Sequence, residues 1–144
     1  MIGEWTVAGE YRFSPDQPSF PSSGQDIVRT LGGLWIIAEG KGNTPDGGCD
    51  SIITLGFDPQ KNTFVGTFIG STMTHLWAYL GQLSKDGQQL VLEAEGPSFS
   101  GDGSMARFRD ILEFVNDDHR RMHSLVLNPD GHWNQFMTTQ YHRR

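Results

Sequence analysis

The run Gly66–Gly81, GTFIGSTMTHLWAYLG, places the hydroxyls of Ser71, Thr72 and Thr74 just ahead of an imidazole, His75. Serine near histidine suggests an activated nucleophile. That chemistry requires a hydroxyl oriented on a ring nitrogen, which closeness along the chain does not supply. There is no Gly-x-Ser-x-Gly elbow either. Turn chemistry, with hydroxyls bonding loop backbone, accounts for residues 71–74. His119 and His123 are spaced i, i+4, which on a helix would place both on one face for zinc. NDDHRRMH reads instead as a turn entering a strand, where those two side chains stand too far apart to hold one ion. No metal site is expected. AEGKGNTPDGG is glycine-rich around Lys41, but a phosphate cradle needs a helix to follow it, and none does.

Paired acids come next. Glu93 and Glu95 share a strand face, as two glycosidase carboxylates could. With Leu90, Leu92 and Ala94 inward, both glutamates point to solvent. Asp110 is different. In MARFRDILEFVN it falls on the face of Ala106, Phe108, Leu112 and Phe114, opposite Arg107, Arg109, Ile111 and Glu113. A carboxylate on an apolar face is costly unless bonded, so Asp110 is either a structural partner or a polar group in a pocket. His75, Trp77 and Tyr79 share one face; Leu76, Ala78 and Leu80 share the other, and both faces are apolar enough that parity leaves the inward side open. The candidate ligand-lining set is Trp35, Glu39, Phe68, His75, Trp77, Asp110, His123 and Met137.

The elements that must position these residues are strands. Short alternating runs lie near residues 4–13, 26–31, 34–40, 51–57, 63–70, 75–83, 89–95, 105–115, 121–127 and 132–141, separated by Gly-, Pro- and Asp-rich turns. No window holds a helical period over three turns. About ten sequential strands predict one all-β domain over residues 1–144, an antiparallel up-and-down β-barrel whose closure removes its edges. KDG and PDG place Gly87 and Gly131 where hairpins need a left-handed residue. The Pro/Ser-rich stretch 14–25 predicts a mobile loop over one barrel end.

Composition narrows the function classes. A net charge of −6 opposes duplex nucleic-acid binding and a polybasic membrane anchor. The single cysteine, Cys49, excludes an intrachain disulfide. The start, MIGEWTVAGE, does not read as a signal peptide, and no run approaches the ~20 apolar residues of a membrane helix. A cytoplasmic protein is the expectation.

GEWTV, LGGLWIIAEGKG, TLGFDPQKNTFVGTFIGSTMTHLWAYLG, LEAEGPSF, RFRDILEFVNDDHR and DGHWNQFMTTQYHRR resemble domain-of-unknown-function family 1579, mainly bacterial. The likeness covers nearly the whole chain. Gly-Phe-Asp-Pro and the closing Met-x-x-x-Tyr-x-Arg are its most specific parts. It implies a calycin-like, lipocalin-type barrel enclosing a small apolar ligand. Gly3–Trp5 is similar to the Gly-x-Trp of the first lipocalin strand, whose tryptophan plugs one end under an arginine of the last strand; Arg143, or else Arg144, would fill that role here. The resemblance also implies a segment before this strand to close the floor. Almost none stands here, so the floor is expected to fall to the 14–25 loop, a partner subunit or solvent. Related barrel families bind haem, which would here require an inward His75 or His123; the sequence itself names no cofactor.

Three functions follow, in decreasing order of support. The first is a binder of a small hydrophobic or amphipathic ligand. The second is a structural barrel, with a homodimer expected through the doubly apolar strand 75–83. The third is an enzyme using His75 or Asp110 as a general base.

Overall fold

The computed structural model describes the whole chain, residues 1–144, as strands and turns without a helix. The strands are β1 (Gly3–Tyr11), β2 (Phe20–Leu31), β3 (Trp35–Thr44), β4 (Gly47–Asp58), β5 (Thr63–Gly70), β6 (Trp77–Leu83), β7 (Gln89–Pro97), β8 (Met105–Asn116), β9 (His119–Leu127) and β10 (Trp133–Arg143). Each pairs antiparallel with its successor, and β1 closes on β10 from Trp5↔Arg143 to Tyr11↔Met137. The predicted ten-stranded up-and-down barrel is the fold. Alternation sets the wall: β7 turns Leu90, Leu92 and Ala94 inward and Glu93 and Glu95 outward. Gly87 and Gly131 have φ of 72° and 86°, the left-handed conformation their hairpins require.

Three strands run longer than their periodicity suggests. β2 begins at Phe20, so FPSSG is paired strand, with Tyr11↔Phe20 and Gly9↔Ser22 in register. β3 and β4 continue to Thr44 and from Gly47, leaving only Pro45 and Asp46 as their turn. These segments are rich in Gly and Ser, which mark no face by hydropathy, so their extended backbone is invisible until the neighbouring strand supplies the ladder.

Chain geometry defines two ends. At the floor Trp5, only 2% exposed, has two guanidinium groups over its ring, Arg143 at 4.4 Å and Arg120 at 4.5 Å from the ring centroid. Its indole N–H donates to the Met1 carbonyl at 2.9 Å. Arg143 fills the expected role, whereas Arg144 turns away to Gln25. Arg120 of β9 is the second, unanticipated cation, bonded to Asp26 and to the Met1 carbonyl. Gly3 is required twice over: its φ is 130°, and a Cβ there would collide with the Arg143 guanidinium. The chain therefore closes its own floor. Residues 12–19, which join β1 to β2, sit at the other end, the mouth, where Tyr11, Phe13, Phe20 and Phe99 gather. The expectation that residues 14–25 could serve as the floor is corrected accordingly.

A candidate ligand hollow

The core fills only part of the barrel. One buried cluster joins Leu55, Tyr79, Leu90, Leu92, Ala94 and Leu112; a smaller one joins Trp5, Val28 and Ala38. Only 18 of the 144 residues are buried, and the accessible surface is 8853 Å². A filled monomer of this mass would expose about 7,400 Å². Ile53, Phe68, Asp110, Met122 and Tyr141 point inward from five strands yet remain only half-buried. Burial nonetheless raises the pKa of Asp110 and of Tyr141. Groups enclosed by protein that still keep accessible surface border an internal space.

The two sides of that space differ. On the mouth-side halves of β2 to β4 several inward positions are small: Ser22, Gly24, Gly40, Gly42 and Ser51. Across from them stand aromatic rings. Trp77 meets Phe108 edge to face at 4.8 Å, and Phe108 meets Phe136 at 6.0 Å and Phe99 at 5.5 Å. The Trp77 ring occupies the volume a Cβ on Gly96 would need, so that glycine seats it. A smooth wall facing rings is suited to a flat apolar molecule.

Polar groups are few and specific. The Tyr79 hydroxyl donates to Asp110 Oδ2 and the Ser124 hydroxyl to Oδ1, each at 2.5 Å. Burial raises the Asp110 pKa, against the lowering by these two bonds, with Ser124 the stronger. Tyr79 is pushed well above its ordinary range by burial and then by the charge of Asp110. Lower down, Arg120 donates to Asp26 in a buried ion pair. Burial raises the Asp26 pKa while Arg120 works against it; burial lowers that of Arg120.

Four of the eight candidates converge on the hollow: Phe68, Trp77, Asp110 and Met137. His75 sits at the rim. β6 pairs with β7 only across Leu80–Leu83, and above that the strands part. His75 Nε2 donates to the Glu95 carbonyl at 2.9 Å, across the gap, with its ring edge-on to Trp77 at 4.9 Å. An outer groove of about 630 Å³ follows this seam past Ala78, Leu80, Val91 and Glu95. Ser71 and His75 are not brought together: Ser71 Oγ accepts the Asp50 N–H, the anticipated turn chemistry.

Trp35, Glu39 and His123 lie on the outer wall and do not line the interior. β3 turns Ile36 and Ala38 inward, so Trp35 covers Gly56 from outside and Glu39 pairs with Arg29 at 3.1 Å. β9 turns Met122 and Ser124 inward, so His123 faces outward, 3.9 Å from Glu113. An interior haem has no axial ligand in His123. Sequence reasoning missed Tyr79, Ser124, Asp26 and Arg120. The signal for Tyr79 was its parity with Trp77, and for Ser124 its place between Met122 and Val126; Asp26 and Arg120 carried none, because their pairing joins residues far apart in the chain.

Among solved structures, Rv2717c from M. tuberculosis superposes with a TM-score of 0.71 at 13% identity, over 99% of this chain and 92% of that one. The S-type phycobiliprotein lyase CPES from Guillardia theta gives 0.63 at 11%, over 99% and 88%. A redesigned β-barrel bound to DFHBI gives 0.51 at 12%, over 99% and 97%. At these identities the likeness is one of fold. No curated protein sequence matches the chain. The family model described as a protein of unknown function, DUF1579, matches residues 1–143, and the chain belongs to that family.

Proposed function

We propose that this barrel binds a small hydrophobic or amphipathic molecule in its hollow. The observation that carries the reading is the set of inward side chains, from Ile53 to Tyr141, that closure of the barrel leaves half-buried. The aromatic wall opposite small residues supports it, as does the fold shared with a phycobiliprotein lyase and with barrels bound to DFHBI. The test uses Nile red, a neutral dye that brightens in apolar surroundings. Gly42 lies on the inner wall, and a Cβ there has ordinary contact, 3.5 Å from the nearest atom. Gly42→Phe should fill the space and weaken dye binding at least about tenfold, or ~1.4 kcal/mol, with little change in melting temperature. A dye that binds Gly42→Phe as well as the wild type sits elsewhere, and the reading falls.

One observation favours a second reading, a homodimer. The outer face of β4 to β6 and the turn before β6 expose Ile52, Ile69, Leu76 and Leu80, the last two at 56% and 59%, beside a Thr54–Thr67 hydroxyl pair that satisfies itself. Asp50 and Asp58 bound this patch along β4, and Glu39 and Glu93 stand beside Ile52 and Leu80, so its apolar centre has an acidic border. The surface that suits this face is the same face of a second copy. Light scattering should report a dimer at micromolar concentration that Leu80→Glu dissociates; a monomer for the wild type removes this reading.

A further inference from the structure

The charges around the hollow define the kind of ligand it should hold. Asp26, Asp110 and Arg120 are charged side chains turned inward, with Arg143 at the floor over Trp5 and paired with Asp118. Asp26 and Arg120 neutralise one another. Asp110 has only hydroxyl partners, Tyr79 and Ser124, one on each carboxylate oxygen. Each oxygen of a carboxylate can accept a second bond, and Asp110, turned inward, is half-buried rather than fully buried. A buried carboxylate without a cation is costly, and a donor or cation from a ligand relieves that cost.

The mouth points the same way. Five turns surround it: residues 12–19, 45–46, 71–76, 98–104 and 128–132. They carry Asp16, Asp46, Asp102 and Asp130 against the single cation Arg12, four negative charges against one positive. The Ser100 hydroxyl and then that of Ser104 bring Asp102 down to about 2, and the His132 N–H lowers Asp130, so these rim charges persist. An acidic ring over an apolar opening raises the local concentration of cations and repels anions.

We infer that the ligand of this barrel is a small aromatic or aliphatic amine, its apolar body against Trp77 and Phe108 and its ammonium group on Asp110. This rests on the proposed interior binding and adds the chemical class. Aromatic faces beside the carboxylate assist by cation–π attraction. Fatty-acid-like anions are disfavoured at both the rim and the depth.

The test is calorimetric titration at neutral pH with three molecules of one shape: phenylbutylamine, phenylbutanol and phenylbutyrate. The amine should bind about tenfold tighter than the alcohol, the scale of a charge-assisted bond, and the carboxylate weakest. In Asp110→Asn the amine-to-alcohol ratio should collapse towards one. The wild-type ranking stands as a test even if that variant does not fold. Alcohol and amine binding equally, a carboxylate that binds best, or a preference that survives in Asp110→Asn overturns this inference and leaves the interior site standing. Binding of none of the three overturns both.

Discussion

The floor and the hollow of this barrel each hold a buried carboxylate among aromatic rings, and the two are built on opposite principles. At the floor the charged and aromatic side chains are paired, around a pocket of about 430 Å³ that Trp5, Phe114, Arg120 and Arg143 help to line. Trp5 has two guanidinium groups over its ring, Arg120 is paired with Asp26, and Arg143 bonds Ile2, Asp117 and Asp118. In the hollow Asp110 has hydroxyls but no cation, and the side chains around it keep accessible surface. Charges that are paired hold a barrel end in place; an incomplete set of partners leaves a carboxylate able to accept one. The contrast also explains the outcome for His75. It sits at the rim and apart from Ser71, whose hydroxyl is bonded to the Asp50 N–H. It bridges the seam where β6 leaves β7, one hydrogen bond in place of missing ladder.

Four variants sharpen this contrast. The largest effect should come from Trp5→Ala, which empties the plug and removes the ring from both arginines. A loss of about 3–5 kcal/mol is expected in denaturant unfolding; less than ~1 kcal/mol would mean that the floor is not a stability anchor. Asp26→Asn follows at about 3 kcal/mol, because it leaves Arg120 buried and uncompensated. A variant as stable as wild type would show that Arg120 finds another partner. His75→Ala should cost roughly 1 kcal/mol or less, with faster amide exchange confined to β6 and upper β7. Uniform exchange throughout would refute a local seam.

Asp110→Asn closes the series and should have the opposite sign to Asp26→Asn. The Asp110 pKa is raised in the fold, so the native state takes up its proton more readily than the unfolded chain. The wild type is therefore favoured below the unfolded carboxyl value of about 3.9. That advantage is lost as pH rises through the raised folded value. At neutral pH the asparagine variant should equal or exceed the wild type in melting temperature, and the wild type should gain on it as pH falls. A variant less stable at neutral pH, with a gap that widens in acid, would contradict this.

Legibility followed the physical source of each feature. The ten strands were readable because alternation is local, and KDG and PDG marked their turns. FPSSG and the ends of β3 and β4 were not, since Gly and Ser carry no face. Asp110 was readable from its apolar neighbours on β8. Trp35, Glu39 and His123 misled because an aromatic, an acid or an imidazole on a strand names no direction by itself. The floor pair Asp26–Arg120 spans 94 residues of sequence and had no local signature.

By itself, the sequence determined that this chain alternates, turns tightly and carries a net charge of −6. Those are properties of residues and their near neighbours. Which face of each strand meets the interior, how far the interior is filled, and which charges lack a partner were decided only by closure. A strand's two faces are equivalent until its register against both neighbours is set, and in a closed barrel each register is set together with all the others.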